Sequence, residues 1–93
     1  MKLTERVIRF ILEVGKENSR ERLITTSQVA KKTKITKAWS GQIVKRLEDN
    51  NFIYRAGEGR NKYVYLTTDG WKAFHSLRIL RELDLQWFRE QAY

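Results

Sequence analysis

Apolar residues near the N-terminus recur every three to four positions, which is the spacing of one helix face. They are Val7, Ile8, Ile11, Leu12 and Val14, and Phe10 widens the apolar surface beyond one stripe. Thr4 is a suitable N-cap and Glu5 suits the first turn, where an acid interacts favourably with the helix dipole. The pattern predicts a first helix over residues 3–18, which ends at Gly15 or in the polar stretch after it.

A second, shorter helical pattern follows. Leu23 and Ile24 predict a very short strand before it. Thr26 or Ser27 is then a suitable N-cap, because a hydroxyl there accepts a hydrogen bond from a free amide of the first turn. The helix "SQVAKKT" ends at a break over residues 33–35.

A third helix begins after that break and completes a two-helix motif. Thr36 is its predicted N-cap, and Asn50 or Asn51 can close it in the left-handed conformation. Spacing assigns three residues of "KAWSGQIVKRLED" to the core, Ile43, Val44 and Leu47, with Ser40 near them. Trp39 is expected in that core rather than as a base-stacking residue. Two short helices joined by a tight turn form a helix-turn-helix, here over residues 27–50.

The segment "YRAGEGRNKYVY" predicts a β-hairpin over residues 52–67. The flanking strands, "FIYRA" and "KYVYLT", are rich in aromatic and β-branched residues. The glycines of "GEGRN" supply the positive φ that a tight turn needs. In the second strand Val64 and Leu66 share one face, whereas Tyr63 and Tyr65 share the other.

A long final helix is predicted over residues 68–93. Thr67 or Thr68 is its N-cap, and Asp69 lies in its first turn. Its apolar residues follow a spacing of three to four: Trp71, Phe74, Leu77, Leu80, Leu83 and Trp87. Together the elements predict a single α+β domain, mostly helical, over residues 1–93.

The positive charge is concentrated in the middle of the chain. The net charge is +8, and residues 31–62 contain nine basic and three acidic residues. A concentrated positive field is typical of proteins that bind a polyanion, most simply nucleic acid. The alternative is a solvated basic face that serves only solubility.

The composition argues against several other classes of protein. There is no cysteine, which excludes disulfides, thiolate catalysis and cysteine-ligated zinc. No apolar run approaches the roughly 18 residues of a membrane span, and charged residues interrupt the apolar N-terminal stretch, unlike a signal peptide. His75 is the only histidine and has no acid pair nearby, which favours a structural role. We expect a cytoplasmic protein with no enzymatic activity, no cofactor and no metal site.

From Leu23 to Gly70 the chain resembles the winged helix-turn-helix DNA-binding domain of the MarR and PadR types. The resemblance is carried by "SQVAKK" in the second helix, "ITKAWSGQIVKRLEDNNFI" around the third, and "YVYLTTDG" after the hairpin. It covers about half of the chain and implies that the hairpin is a wing beside a recognition helix. The chain departs from the family pattern at Lys34 and Asn51, where glycine is common, and at Ser40, where a larger apolar residue is common.

The polar stripe of the third helix is the predicted contact with DNA bases. Helical offsets place five residues opposite the core, after Thr36 at the N-cap: Lys37, Ala38, Gly41, Gln42 and Lys45. Gln can form paired hydrogen bonds with adenine, and Lys can reach guanine. Gly41 lowers helix propensity by about 1 kcal/mol, so we expect it to serve either close approach to DNA or close helix packing. An ordinary solvated face is the alternative for the whole stripe.

Residues around this stripe are expected to contact the DNA backbone. Phosphate contacts are predicted for residues that precede the recognition helix: Thr26, Ser27, Lys31, Lys32 and Lys34. The wing contributes four further contacts: Arg55, Arg60, Asn61 and Lys62. Arg60 at the tip is the predicted minor-groove contact, because narrow A·T-rich grooves attract arginine. A hairpin edge whose charges serve only solubility is the alternative.

The two outer helices carry more apolar residues than a small core needs. If exposed, these residues would form a sizeable apolar patch. The sequence therefore predicts a homodimer interface formed by Ile8, Leu12, Leu80, Leu83, Trp87 and Phe88. Two-fold symmetry then implies a palindromic site with half-sites about 10 bp apart or a multiple of that. Folding of the C-terminal end back onto its own chain is the alternative.

The leading hypothesis is a homodimeric, sequence-specific double-stranded DNA-binding protein, most often a transcriptional regulator. An alternative of the same class is a plasmid-partition or DNA-organising adaptor of the archaeal type, which spreads on DNA and takes a further protein partner. A protein-interaction winged helix in a larger assembly is a second alternative, which the basic stripe disfavours. RNA is disfavoured as the partner, because the narrow major groove of an A-form duplex excludes a helix.

Overall fold

The computed structural model describes residues 3–59 and 61–91, without the side chains of Asn61 and of residues 84–91. Six elements follow one another: α1 (Glu5–Ser19), α2 (Thr26–Thr33), α3 (Lys37–Asp49), β1 (Ile53–Glu58), β2 (Asn61–Leu66) and α4 (Thr68–Gln91). The predicted fold class is confirmed, because the domain is α+β, mostly helical, with a two-stranded wing and a long last helix. Within the described ranges, no helix is long and apolar enough to cross a membrane.

Helix α1 lies at the centre of the core. Its residues Phe10, Ile11 and Val14 are completely buried. Residues from every other element close around them: Ile24, Val29, Ile35, Ile43, Val44, Leu47, Ile53, Val64, Leu66, Phe74 and Leu77. Because burial of each large apolar side chain contributes roughly 1.5–3 kcal/mol, the wide apolar face of α1 is what joins the other helices to the wing.

A glycine within α1 lets α4 approach closely. Gly15 is buried against the ring of Phe74, and a β-carbon at this position would overlap that ring. An alanine there would force the core to shift, at a cost of roughly 1–3 kcal/mol. Of the two predicted ends of α1, Gly15 is therefore wrong and the polar stretch is right, since the helix continues to Ser19.

Hydrogen bonds connect the C-terminal half of α1 to the wing. The Asn18 side chain donates to the Val64 carbonyl at 3.3 Å and accepts from the Leu66 amide at 3.1 Å. The Val64 amide donates to the Ile24 carbonyl at 2.9 Å. These bonds satisfy backbone groups on the edge of β2, and they fix the wing relative to the helices.

The two strands of the wing are antiparallel, with Ile53 opposite Leu66 and Tyr54 opposite Tyr65. The faces are divided as predicted, because Val64 and Leu66 are buried, while Tyr65 stacks on Tyr54 at a ring-centre distance of 5.3 Å. One face of the hairpin therefore closes the core, and the other carries partly exposed aromatic rings.

The strand predicted at Leu23 and Ile24 is reduced to a single bridge between Thr25 and Tyr63. Leu23 is exposed, whereas Ile24 is buried. Because α2 begins at Thr26, directly after the bridge, the chain leaves the sheet after one pairing.

The cap of α2 lies one residue earlier than predicted. Thr25, rather than Thr26 or Ser27, accepts a hydrogen bond from the Gln28 amide, and the Gln28 side chain accepts one from the Thr25 amide. This capping box requires extended backbone at Thr25. The bridge to the wing requires the same conformation, so the position of the cap follows from the sheet contact.

Three other predicted caps are confirmed. The Thr4 hydroxyl accepts a hydrogen bond from the first turn of α1, and Thr36 does the same for α3. At α4, the Thr67 hydroxyl accepts from the Gly70 amide at 3.0 Å, which selects Thr67 over Thr68. Each such cap typically contributes about 1 kcal/mol.

Trp39 is not in the core, so that prediction is wrong. Its side chain is 45% exposed, although the adjacent Ser40 is buried. The guanidinium carbon of Arg6, in α1, lies 4.6 Å from the centre of the Trp39 ring. Because position 39 lies at the margin of the buried face of α3, α1 covers the indole only in part.

Glu17, a buried acid between α1 and α2, forms ion pairs with Lys32 and Arg22. Glu17 is 3% exposed, and its carboxylate accepts a hydrogen bond from Lys32 Nζ at 3.1 Å. That hydrogen bond holds the pKa of Glu17 below its ordinary value of 4.5, and burial opposes the shift. A lowered pKa means that the pair stabilises the fold at neutral pH, and that this contribution is lost as the pH falls below 4.5 through the folded-state pKa.

Lys34 and Asn51 adopt left-handed backbone. The families that the sequence resembles often have glycine at these two positions. Lys34 ends α2 with a φ of 59°, and Asn51 follows α3 with a φ of 61°. The predicted left-handed closure of α3 is therefore at Asn51, since Asn50 has a φ of −94°. Asparagine tolerates this conformation, whereas a lysine there costs roughly 1–2 kcal/mol.

Replacing Lys34 with glycine is therefore expected to stabilise the domain. Glycine removes the steric penalty but adds freedom to the unfolded chain, so we expect a net gain of about 0.5–1 kcal/mol. The free energy of unfolding in urea measures the change. Lys34→Ala is the matched control and should give no such gain, because alanine keeps the β-carbon. Equal stability of the two variants would contradict the proposed backbone strain.

Candidate nucleic-acid interface

Helix α3 has one buried and one exposed face. Its buried residues are the three that spacing assigned to the core, Ile43, Val44 and Leu47, together with Ser40. The residues of the predicted base-contact stripe are all exposed: Lys37, Ala38, Gly41, Gln42 and Lys45. None of them has a bulky apolar side chain, so this face of the helix is open to a large polar partner.

A groove of about 390 Å³ runs between α3, the N-terminal end of α2 and strand β1. Residues of all three elements line it: Thr26, Ser27, Lys37, Ser40, Gly41, Val44, Lys45, Glu48 and Arg55. The fold thus places predicted phosphate contacts from α2 and the wing beside predicted base contacts of α3. We call this surface the α2–α3 groove.

An ion pair joins the wing to α3 in this groove. Nη2 of Arg55 lies 2.9 Å from Oε1 of Glu48, and the two side chains are 41% and 31% exposed. Ion pairs at this exposure contribute little stability, so the main effect is to position the guanidinium. Arginine has five N–H donors, which leaves several that can reach a phosphate oxygen.

The three lysines predicted to contact phosphate lie on two sides of α2. Lys31 lines a surface with Ser27, beside the α2–α3 groove. Lys32 and Lys34 lie on the side that faces α1, where Lys32 is bound to the buried Glu17. The structure therefore places Lys31 beside the α2–α3 groove and the other two lysines away from it.

The tip of the wing is described only in part. Arg60, the predicted minor-groove contact, lies outside the described residues, and Asn61 is described by its backbone alone. Lys62 is exposed and pairs with Gly57 across the hairpin. Gly59, between the paired residues Glu58 and Asn61, has a φ of 61°, as the predicted tight turn requires, whereas Gly57 has a φ of 143° within β1.

Gly41 has open space where a side chain would begin. A β-carbon there would meet no described atom within 4 Å outside its immediate surroundings in α3. Of the two purposes predicted for this glycine, close helix packing is therefore unsupported in the described part of the chain. Close approach by another molecule is therefore the purpose that remains for Gly41.

Two arginines at the opposite edge of α3, Arg6 and Arg46, had no role assigned from the sequence. They line a smaller groove between α1 and α3, together with Trp39 and Gln42. Helical spacing could have found Arg46, because it lies one turn from Gln42. Arg6 carries no local signal, since it belongs to a different helix.

The residues predicted to form a dimer interface fall into groups. Ile8 and Leu12 are partly buried against the core of their own chain. Leu80 and Leu83 are 61% and 56% exposed, on the part of α4 beyond Leu77, the last core residue among its described side chains. Two predicted members have side chains outside the description: Trp87 and Phe88.

His75 contacts aromatic rings. It stacks on Trp71 at a ring-centre distance of 5.9 Å and lies 5.3 Å from the ring of Phe74. Among the described residues, no group of three or more His, Cys, Asp or Glu side chains could hold a metal ion. These contacts give the structural role predicted for His75 a physical basis.

The sequence matches the DUF6293 C-terminal winged helix domain over residues 3–78. The chain belongs to this family. The match covers α1, the helix-turn-helix, the wing and the start of α4, so the winged helix inferred from resemblance is confirmed. No curated protein matches the sequence.

Solved structures from several organisms share the fold of this winged helix domain. MepR, a transcription regulator of the Staphylococcus aureus multidrug efflux pump MepA, has a TM-score of 0.83 and 21% identity over 97% of this chain and 66% of MepR. A complex of MepR with DNA matches with the same TM-score and identity, over 96% of this chain and 65% of that one. AF1382 from Archaeoglobus fulgidus has a TM-score of 0.81 and 18% identity, over 87% and 89% of the two chains. ZitR from Lactococcus lactis has a TM-score of 0.79 and 19% identity, over 98% and 61%.

The winged helix domain thus spans slightly less than two thirds of the MepR and ZitR chains. At these identities the likeness establishes the fold. Among these structures, MepR is a transcription regulator.

Gly41→Ala is expected to raise the free energy of unfolding by up to about 1 kcal/mol, because alanine has the higher helix propensity. Urea or thermal unfolding measures the change. Gly15→Ala is the matched control, since it is also a helical glycine but lies against Phe74, and its stability should fall. A loss of stability in Gly41→Ala would show that Gly41 has a packing role after all.

Proposed function

We propose that this winged helix domain binds double-stranded DNA, with α3 in the major groove and the wing beside it. The observation that carries the proposal is the convergence of α2, α3 and β1 on the α2–α3 groove. The winged helix family and the fold shared with MepR, which is known in complex with DNA, support it. The excess of basic residues in segment 31–62 supplies the charge that a polyanion requires.

The exposed face of α3 suits a major groove about 12 Å wide. Ala38 and Gly41 are short and let the helix approach the bases, while Lys37, Gln42 and Lys45 are long enough to reach base edges. Gln42 is assigned to adenine and Lys45 to guanine, with each contact worth roughly 1–3 kcal/mol of discrimination. Ala38 is suited to contact with a thymine methyl group.

Residues beside α3 are assigned to the DNA backbone. Thr26 and Ser27 lie in the first turn of α2 and Thr36 caps α3, and free backbone amides at such helix ends favour phosphate. Lys31 and Arg55 add positive charge on the same side. These contacts hold the protein in register and make its binding sensitive to salt.

The remaining predicted backbone contacts have different roles in this proposal. Lys32 and Lys34 are assigned a minor one, because they lie on the α1 side and Lys32 is engaged by Glu17. Arg60 is assigned to the minor groove, with Asn61 and Lys62 beside the phosphates.

Gln42→Ala and Lys31→Ala are expected to weaken DNA binding in different ways. Binding sites are first selected from random duplex DNA with the parent protein, and affinities are then measured at several salt concentrations. Gln42→Ala should lose roughly 1–3 kcal/mol of preference at one base position. Lys31→Ala should weaken all sequences alike and reduce the salt slope by about 0.9.

A combined variant tests the assignment of the whole face. Gln42→Ala, Lys45→Ala and Arg60→Ala together remove base and wing contacts. If this variant binds DNA as tightly as the parent, the assignment of this face is wrong, and a protein partner becomes the better explanation of the domain.

The proposal includes a homodimer formed by the outer helices. Leu80 and Leu83 are exposed beyond the core, and apolar surface of this kind is commonly buried in oligomers. Ile8 and Leu12 would lie at the margin of the interface. Two-fold symmetry would present two α3 helices to half-sites about 10 bp apart, or a multiple of that, and hence to a palindrome.

The double variant Leu80→Glu, Leu83→Glu is expected to be monomeric, because charged side chains cannot be buried unpaired in an apolar interface. Sedimentation equilibrium measures the change in mass. Leu23→Glu is the control, since Leu23 is 59% exposed and lies in a groove with Trp71, near the start of α4, rather than beside Leu80 and Leu83. A parent protein that sediments as a monomer at micromolar concentration would refute the dimer.

We assign the domain to transcriptional regulation, the role of MepR. The pattern of protection on DNA tests this assignment. A footprint confined to one palindrome supports regulation, whereas a footprint that lengthens as protein concentration rises supports partition or DNA organisation.

A further inference from the structure

The edge of α3 that faces α1 presents an exposed aromatic ring next to two arginines. Trp39 is 45% exposed, and the guanidinium of Arg6 lies 4.6 Å from its ring centre. Arg46 lines the same groove and is exposed. The contacts proposed above for the α2–α3 groove use none of these three residues.

Arg6, Arg46 and Trp39 have N–H donors that could bind a negatively charged partner. The ion pairs in the described part of the chain involve other basic residues: Arg22, Lys32, Arg55 and Arg81. Within that part, the Trp39 indole N–H also has no hydrogen-bond acceptor, since only the Trp39 backbone amide is bonded, to Thr36. Three exposed residues with N–H donors, Arg6, Trp39 and Arg46, therefore lie at one edge of the helix.

The acid next to Arg6 in the sequence pairs with a different arginine. Glu5 precedes Arg6, but its carboxylate lies 2.6 Å from Nη2 of Arg81 in α4. The Glu5–Arg81 pair leaves Arg6 on the face of Trp39, where the negative face of the indole attracts a guanidinium.

We propose that Arg6, Trp39 and Arg46 form a second phosphate-binding edge, which contacts the DNA strand across the major groove from α2 and the wing. This inference rests on the proposed function. A helix in a major groove about 12 Å wide has a phosphate backbone on each side. One edge of α3 faces α2 and Arg55, and the other faces Arg6, so both edges of the helix carry donors for phosphate.

The three residues have separate roles at this edge. Arg6 and Arg46 supply charge and N–H donors to phosphate oxygens. Trp39 is a positioning residue, because its ring face holds Arg6, and its N–H can donate to the same phosphate. The edge adds no base contacts, so it affects affinity and salt dependence rather than sequence preference.

The first test compares Arg6→Ala and Arg46→Ala with Arg20→Ala in the full chain. Each variant loses one positive charge, but Arg20 lies at the opposite end of α1 from Arg6. Affinity for a duplex selected with the parent is measured by fluorescence anisotropy over a range of sodium chloride concentrations. Arg6→Ala and Arg46→Ala should each reduce the slope of log K against log salt by about 0.9, and Arg20→Ala should leave it unchanged.

The second test separates positioning from folding. Trp39→Phe keeps an aromatic face and should retain the parent salt slope, whereas Trp39→Leu should reduce it. Phosphate ethylation interference locates the contacts, and Arg6→Ala should lose interference only on the strand away from α2 and the wing. Thermal unfolding of each variant measures any change in the fold itself.

The outcomes distinguish this inference from the proposed function. If the parent binds DNA but Arg6→Ala and Arg20→Ala have equal salt slopes, the second edge is refuted and the proposed function stands. A lower melting temperature for Arg6→Ala with an unchanged slope also refutes it, because the arginine then only joins α1 to α3. A parent that binds no duplex DNA refutes both.

Discussion

The burial of one face of α1 is the contact on which the other elements depend. Phe10, Ile11 and Val14 have no exposed surface, because α2, α3, the wing and α4 surround them. Two features of the same helix then fix its neighbours. Gly15 sets the closest approach of α4, and Asn18 is hydrogen-bonded to the Val64 carbonyl and the Leu66 amide of strand β2. Contacts with α1 therefore fix the relative positions of α3 and the wing, although α1 contributes few exposed residues to the proposed interface.

Acidic residues pair with lysine on the α1 side of α2, whereas lysines without a described acid partner lie in the α2–α3 groove. The acids Glu13 and Glu17 engage Lys32 between α1 and α2, away from the α2–α3 groove. In the groove, the described ion pair is Arg55 with Glu48, which leaves Lys37 and Lys45 without a described acid partner. Positive charges without a described acid partner therefore lie where the helix-turn-helix and the wing meet, and such charges attract a polyanion to that face.

The sequence contained enough information to predict most of the architecture. Thr4, Thr36 and Asn51 act through bonds or backbone angles within a few residues of themselves, so local chemistry predicted their roles. The errors arose where a distant contact decides the outcome. Thr25 caps α2 because it also pairs with Tyr63, and Trp39 lies under the guanidinium of Arg6, in another helix, rather than in the core. The position of Lys32 likewise depends on Glu17 in another helix, which no spacing rule within α2 can reveal.

The shared conformation of Thr25 has a mechanical consequence. One extended residue both bridges to the wing and closes the capping box of α2. If the wing separates from the helices at this point, α2 loses its cap, and if the first turn of α2 frays, the wing loses a support. The two walls of the α2–α3 groove are thus linked in free energy, so a ligand that orders one wall lowers the cost of ordering the other.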